Sequence, residues 1–273
     1  MERVVKLFTK TQEDVRLKLA AILALTGVVF FNAITSLLAA NDGDNVRLSD
    51  KYPNLLAASD SVSIIWIFIF IGLWAYVIYQ FSTMRGKDSS ISELSLNRIS
   101  IFFILNTVLN VLWVLSLVLE VFWLSVVLII AILYTLVRIT GYISNDTLAA
   151  RDTVFIRVPF SLYFGWVTYA TVGNIMLWLV SMNWTTFTSH RGTWAVGLVI
   201  AAAGFALVMM YRHVDWIYGA AVLWAFLGIL VDHLSPSGWN GTYPTMIVAL
   251  TIVISVLVVA TLYVGEKEYR QKS

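Results

Sequence analysis

The sequence predicts an all-α integral membrane protein, a helical bundle that crosses the bilayer about eight times. Three observations predict this fold class. Hydrophobic residues make up 59% of the 273-residue chain and charged residues only 12%, far from the composition of a soluble domain. The apolar residues lie in continuous runs of about 20, the length that a helix needs to cross the hydrocarbon core. The lysines and arginines, finally, concentrate in every second segment between those runs.

Eight apolar runs are bounded by charged or turn-forming residues, and each is interpreted as one span. They lie near residues 16–40, 61–83, 98–118, 121–140, 157–181, 193–211, 214–232 and 244–264. The runs are continuous rather than alternating, which excludes a transmembrane β-barrel. The first run lacks a small-residue cleavage site, so it predicts a retained helix rather than a signal peptide. The turn at Glu120 is the least marked boundary between two runs.

The distribution of basic residues predicts the orientation. With the N-terminus inside, the cytoplasmic segments hold 15 of the 18 lysines and arginines. The outer loops hold only Arg47, Lys51 and Arg191. Adding or removing one span would destroy this alternation. The sequence therefore predicts a multi-pass protein of the cell membrane with both termini in the cytoplasm.

The composition also excludes several function classes. The chain has no cysteine, which excludes disulfides, thiolate catalysis and cysteine-ligated metals. A lysine in the middle of a span would be needed for a retinal Schiff base, and a carboxylate there for a proton relay, but no span has either residue at its middle. No catalytic residue and no metal site are predicted, so an enzyme is not expected. A nucleic-acid partner is not expected either, because topology explains the basic residues.

Uncharged polar residues inside the spans are the best pointers to function. Asn106, Asn110 and Trp113 are spaced to lie on one side of the third span. A second stripe follows the fifth span at steps of three or four residues: Tyr163, Trp166, Ala170, Asn174 and Trp178. Amides are costly in hydrocarbon unless they are hydrogen-bonded, so both stripes are expected to face protein or a cavity.

Two interpretations of the stripes remain open from the residues alone. Asparagine can join helices through hydrogen bonds worth about 1 kcal/mol each. Alternatively, aromatic planes with a few amide groups can line a small-molecule pocket, to which Trp66 and other deep tryptophans would add flat faces. The residues by themselves favour bonds between helices over a pocket.

A resemblance to a known family bears on the choice between these two interpretations. Residues 158–174, VPFSLYFGWVTYATVGN, resemble the fifth helix of the TspO/MBR family, the tryptophan-rich sensory proteins that include the mitochondrial translocator protein. The residues that carry the match are Pro159, Tyr163, Trp166, Ala170, Thr171 and Asn174. Residues 102–113, FFILNTVLNVLW, look like the third helix of the family. The resemblance covers residues 18–182.

The resemblance implies two parts of the chain. Residues 1–182 would form a TspO-like five-helix membrane core, and residues 183–273 a three-helix C-terminal membrane extension, as in a longer bacterial subgroup. The segment between the first two helices departs from the family. It keeps a single proline, Pro53, in place of the Trp-x-Pro-Pro-like lid over the ligand pocket. The ligand preference of the family therefore does not carry over directly.

Because of this resemblance, a small-molecule pocket becomes the favoured interpretation of the two stripes, ahead of hydrogen bonds that only join helices. The resemblance implies a small hydrophobic or planar ligand of the tetrapyrrole or sterol type, bound by a sensor or carrier. No resident cofactor is predicted, and a porphyrin would be a ligand. The candidate ligand-binding residues are Trp66, Asn106, Asn110, Trp113, Tyr163, Trp166, Thr171 and Asn174.

Two other functions stay open: a transporter or permease for an uncharged solute, and a non-catalytic membrane scaffold subunit. The expected partners are the lipid bilayer, the hydrophobic ligand and, in a homodimer, a second copy of the chain.

The predicted extension is plainer. Two sets of small residues are expected to let its helices approach closely. They are Gly197, Ala201 and Gly204 in the sixth span, and Gly219, Ala220 and Gly228 in the seventh. The polar turn at residues 212–215 is expected to be solvated.

Overall fold

The computed structural model describes residues 2–41, 51–84, 90–146, 148–183 and 189–272. In these ranges it has no strand and eight helices that are long and apolar enough to cross a membrane. Their bounds are α1 (Glu2–Asn41), α2 (Ile65–Met84), α3 (Glu93–Val118), α4 (Phe122–Ser144), α5 (Val158–Ser181), α6 (Arg191–His213), α7 (Trp216–Leu234) and α8 (Pro244–Lys272). The predicted all-α membrane bundle with eight spans is confirmed. An even number of spans puts both termini at one end of the bundle, and the cytoplasmic identity of that end stays a prediction.

Local sequence explains where several helices begin and end. The Ser92 hydroxyl accepts a hydrogen bond from the Ser95 amide and caps the N-terminus of α3. Pro159 lies in the first turn of α5, where a missing amide hydrogen leaves no bond unmade. Glu120 and Val214 take left-handed backbone angles, with φ of 55° and 48°. These two residues reverse the chain sharply, so α3 with α4 and α6 with α7 form tight hairpins.

Helix α5 is the centre of the bundle. It packs against α2 and α4 on one side and against α6 and α7 on the other. A helical turn (Ala150–Asp152) and a π-helical turn (Thr153–Arg157) lead into it. Helix α1 packs on α2 and α3, and α8 packs on α6 and α7. The last three helices therefore dock on the first five largely through α5.

Two glycines allow the last three helices to approach the first five closely. A Cβ atom on Gly165 would lie 2.6 Å from the Cβ of Ala221 and 2.7 Å from the carbonyl oxygen of Tyr218. On α7, a Cβ on Gly228 would lie 2.5 Å from the Val62 side chain, in the 3-10 turn (Asp60–Ile64) before α2. Helix α7 therefore packs closely against α5 at Gly165 and against the 3-10 turn before α2 at Gly228.

The small residues of the extension divide into two groups. Gly219 lies against Met210 and Thr261, so the expected close packing of α7 is confirmed there. Gly197 and Gly204 are exposed, and no atom of the described residues lies within 4 Å of a Cβ built on either, so the expected role of this face of α6 is wrong. The reason is that α6 carries a second set of small side chains, and this set is the buried one: Ala195, Ala202, Ala203 and Ala206.

Candidate ligand-binding site

Asn110 joins three helices near the middle of the bundle. Its Nδ2 donates to the Tyr163 hydroxyl on α5 at 3.2 Å, and its Oδ1 accepts from Nδ2 of Asn32 on α1 at 3.2 Å. The side chain is buried, and these bonds use both of its ends. At Asn110 the polar stripe therefore connects helices, and Asn32, an uncharged polar residue within the first span, supplies the partner on α1.

Asn106, one turn earlier on α3, is oriented toward α4. Its Nδ2 donates to the Thr135 hydroxyl at 2.7 Å and lies 3.4 Å from the carbonyl oxygen of Ile132. Its Oδ1 is buried and has no hydrogen-bond partner among the described residues. A buried acceptor without a donor costs about 1–3 kcal/mol. Asn106 therefore holds an unused acceptor inside the bundle.

A cavity of about 10 Å³ lies beside this group, between α1, α2, α3 and α5. Its walls combine aliphatic and aromatic side chains with convergent polar ones: Val28, Phe70, Leu73, Phe103, Asn106, Thr107, Asn110 and Tyr163. This mixture is typical of small-molecule sites. The volume is that of about one water molecule, so a larger occupant requires the surrounding side chains to move.

An aromatic cluster adjoins the cavity between α2 and α5. The Trp66 ring stacks on Phe70 at 5.4 Å and lies 6.0 Å from the Tyr163 ring and 6.1 Å from the Trp166 ring. Trp166 in turn contacts the edge of Tyr169 at 5.0 Å. Phe70 and Tyr163 belong both to this cluster and to the cavity wall. The cluster can therefore present flat ring faces to a ligand that enlarges the cavity.

The other candidate residues lie apart from the cavity wall. Trp113 donates from Nε1 to Oδ1 of Asn174 at 3.1 Å, which joins α3 to α5. Thr171 donates to the carbonyl oxygen of Val167 in its own helix at 2.8 Å. Asn106, Asn110 and Tyr163 thus come together at the cavity, and Trp66 and Trp166 lie in the adjoining cluster.

The loop of residues 51–59 covers the C-terminal half of α5. Nδ2 of Asn54 donates to the carbonyl oxygen of Gly173 at 2.9 Å, and the Ala58 amide donates to the Tyr169 hydroxyl at 2.8 Å. Leu55 and Leu56 of this loop have buried side chains. The loop before α2 is therefore bonded to α5 through both a side chain and a backbone amide.

Helix α7 holds the same loop from the other side. Nε2 of His233 is hydrogen-bonded to the carbonyl oxygen of Leu55 at 3.0 Å, and the Ser59 amide donates to the Gly228 carbonyl oxygen at 3.3 Å. The Trp224 indole donates to the carbonyl oxygen of Val62 at 3.0 Å. The loop is thus bonded to both parts of the chain. Sequence reasoning missed this role of His233, because its partner is a backbone atom 178 residues away.

An exposed ion pair fastens the beginning of the loop. Nζ of Lys51 lies 2.5 Å and 2.7 Å from the two carboxylate oxygens of Glu120, and the Tyr52 hydroxyl donates to Glu120 at 3.0 Å. The hydrogen bond from Lys51 lowers the pKa of Glu120, and the same bond raises the pKa of Lys51. In the sequence, Glu120 indicates only the turn between the third and fourth spans. In the structure it also holds the loop.

We expect this attachment to weaken in acid. Because the pKa of Glu120 is lower in the folded protein than its ordinary 4.5, its contribution is present above that value and is lost as pH falls through the lowered pKa. Hydrogen exchange at the amides of residues 51–56 should be faster at about pH 3 than at about pH 6, after correction for intrinsic rates. Glu120→Gln should show the faster exchange at both pH values. Equal protection of the loop in Glu120→Gln and in the unchanged protein would contradict this role.

A buried ionic cluster lies at the opposite end of α5. The Arg157 guanidinium meets the Glu268 carboxylate of α8 through two nitrogens, at 3.1 Å and 3.3 Å. Its Nε lies 3.8 Å from Oδ2 of Asp215, and Nη2 also donates to the carbonyl oxygen of Val214. One guanidinium thus joins the π-helical turn before α5 to α8 and to the α6–α7 turn.

Asp215 is the second centre of this cluster. Its Oδ2 accepts a hydrogen bond from the Ser161 hydroxyl at 2.5 Å, and its Oδ1 accepts one from the Tyr218 amide at 3.0 Å, which caps α7. Only 1% of Asp215 is exposed. The expectation of a solvated turn at residues 212–215 is therefore wrong here, because the charge of Arg157 and the cap of α7 both require this carboxylate inside the bundle.

A comparison with known protein families covers most of the chain. A family model described as TSPO-like protein matches residues 18–263. The chain belongs to this TSPO-like family. The resemblance inferred from the sequence is thereby confirmed, and the match extends past residue 182 into α8 of this TSPO-like protein. No curated protein and no solved structure gives a significant match.

Proposed function

We propose that this TSPO-like membrane protein binds a small hydrophobic or planar ligand, of the tetrapyrrole or sterol type, between α2, α3 and α5, as a sensor or carrier. The observation that supports this most is Oδ1 of Asn106, which accepts no hydrogen bond from any residue that the structure describes. It is a buried acceptor beside a cavity whose other walls are mainly apolar. Few polar groups in a largely apolar wall are the usual composition of a ligand site.

The neighbouring residues suggest how a ligand would be held. Oδ1 of Asn106 would accept a hydrogen bond from an N–H or O–H group of the ligand, which removes the cost of an unpaired acceptor. The rings of Trp66 and Phe70 would lie against a flat apolar face. Since the cavity holds about one water molecule, these two rings have to rotate or shift for a larger molecule to enter. Trp113 and Asn174 would keep α3 and α5 together during that change.

Thermal unfolding of the purified protein in detergent tests this proposal. We expect at least one compound from a panel of porphyrins and sterols to raise the melting temperature, because a ligand of the folded state stabilises it by mass action. Asn106→Leu keeps a side chain of similar size but removes the acceptor, so it should abolish the shift. Trp166→Ala should reduce the shift by opening the aromatic cluster.

Thr140→Val is a matched control. Thr140 is a buried polar residue of α4 whose hydroxyl bonds to the Leu136 carbonyl oxygen of its own helix. The ligand-induced shift should persist in this variant. The proposal fails if no compound changes the melting temperature, or if Asn106→Leu and Thr140→Val respond to the ligand alike. In either case the polar stripes would serve only to join helices.

A further inference from the structure

Two arginines lie on the exposed surface that α3 and α4 share. Arg98 is five residues from the start of α3, and Arg138 is six residues from the end of α4, so both lie toward the end of the bundle that holds the termini. At 1.5 Å per residue these distances correspond to about 8–9 Å along the helices. Helix α3 is about 39 Å long by the same measure, close to the thickness of a bilayer with its headgroups. The two arginines are therefore at the depth where headgroups meet hydrocarbon.

Aromatic rings hold both guanidinium groups in place. The guanidinium carbon of Arg138 lies 5.6 Å from the ring centres of Phe102 and Tyr142, and its Nη2 donates to the Tyr142 hydroxyl at 2.9 Å. The guanidinium carbon of Arg98 lies 5.4 Å from the same Tyr142 ring. Two cations thus flank one ring. Contacts with ring faces leave most of the N–H donors of each guanidinium free for another acceptor.

Neither cation has a carboxylate partner among the described residues. The ion pairs found among the described residues are formed by other lysines and arginines, for example by Arg157 with Glu268. Two adjacent positive charges at a membrane surface attract an anion, and a guanidinium favours the oxygens of a phosphate group because it can form two parallel bonds.

The surface below the arginines is apolar. Toward the middle of the bilayer, α4 exposes first Tyr134 and then Ile130, each about one turn farther along the same face. Helix α3 exposes Leu105 two turns from Arg98. From the membrane surface inward, the site thus presents the arginines, then the Tyr134 hydroxyl, then aliphatic side chains. This is the order of the phosphate, ester and acyl groups in a phospholipid. A free phosphate ion would use only the first of these.

We propose that Arg98 and Arg138 together bind the phosphate group of an anionic phospholipid, whose acyl chain lies along Leu105 and Ile130. This site is on the outer surface of α3 and α4 and does not depend on the ligand cavity. It differs from general attraction between basic loops and lipid because two named side chains are positioned by Tyr142 and Phe102.

The test is lipid binding to the purified full chain in detergent, measured by native mass spectrometry with phosphatidylglycerol, phosphatidylcholine and inorganic phosphate as separate probes. We expect phosphatidylglycerol to bind more tightly than phosphatidylcholine. Arg98→Gln with Arg138→Gln should weaken phosphatidylglycerol binding about 10- to 30-fold, since each surface cation contributes roughly 1 kcal/mol. Inorganic phosphate should neither bind measurably nor compete.

Arg212→Gln with Lys267→Gln is the matched control, because it removes two exposed cations from the same end of the bundle. Binding should change less than about twofold there. Arg138→Lys keeps the charge but loses the paired donors, so it should weaken binding by an intermediate factor and serves if the double variant does not fold. The proposal is overturned if the two double variants bind phosphatidylglycerol equally, if phosphatidylcholine binds as tightly, or if inorganic phosphate alone competes for the site.

Discussion

Arg157→Gln should destabilise the folded bundle by about 3–5 kcal/mol. Arg157 is only 12% exposed, and it is the cation that faces both Glu268 and Asp215. Without it, two buried carboxylates lose the positive charge of this guanidinium, and Glu268 of α8 is left beside Asp215 of the α6–α7 turn. The expected result is a shift of the unfolding midpoint when the protein is titrated with sodium dodecyl sulfate in mixed micelles.

Arg270→Gln gives the matched comparison. Arg270 also pairs with a glutamate, Glu266, but the two side chains are 74% and 59% exposed. A solvated pair of this kind contributes about 0.5 kcal/mol or less. A similar loss of stability in both variants would show that charge removal, rather than the buried position of Arg157, is responsible. The difference between the two variants therefore measures the effect of burial.

The number and limits of the spans could be predicted because the bilayer leaves few alternatives. A segment that crosses it must be helical, long and apolar, and each of these properties can be counted along the chain. Even the short break at Glu120 was predictable, since a charged residue between two apolar runs has to leave the hydrocarbon. Its left-handed backbone then makes the turn.

The direction of each polar side chain within the bundle was less predictable. The spacing of Asn106 and Asn110 predicts one face of α3, yet Asn106 bonds to α4 and Asn110 to α1 and α5. A difference of about 40° between residues four positions apart is enough to reach different neighbours in a packed bundle. The choice depends on which helices pack together, and helical spacing alone does not contain that information.

The buried ionic cluster was missed for a related reason. Arg157 fits the positive-inside pattern, so topology alone explains its presence in the sequence. Its bidentate partner Glu268 is 111 residues away, beyond any local pattern. One signal was available: the guanidinium of an arginine directly before a membrane-spanning helix must either be buried with a partner or reach water at the end of its long side chain.

Gly165→Ala should destabilise the protein by about 1–3 kcal/mol through overpacking, although alanine favours a helix by about 1 kcal/mol over glycine. The added Cβ would lie 2.7 Å from the backbone oxygen of Tyr218, which cannot move aside without moving α7. Since α7 also holds the loop through His233 and Gly228, hydrogen exchange at residues 54–59 should become faster. Both effects can be measured on the same sample, the first by detergent titration and the second by mass spectrometry.

Gly197→Ala separates this packing effect from the general effect of alanine in a helix. Gly197 also lies within a helix, but a Cβ there would have no neighbour within 4 Å in the part of the chain that the structure describes. The variant should be as stable as the unchanged protein or more stable by up to about 1 kcal/mol, with normal exchange in the loop. If Gly165→Ala behaved in the same way, the close contact between α5 and α7 would have no energetic importance. If it lost stability without faster exchange at residues 54–59, the contact would matter for the bundle while the loop would not depend on α7.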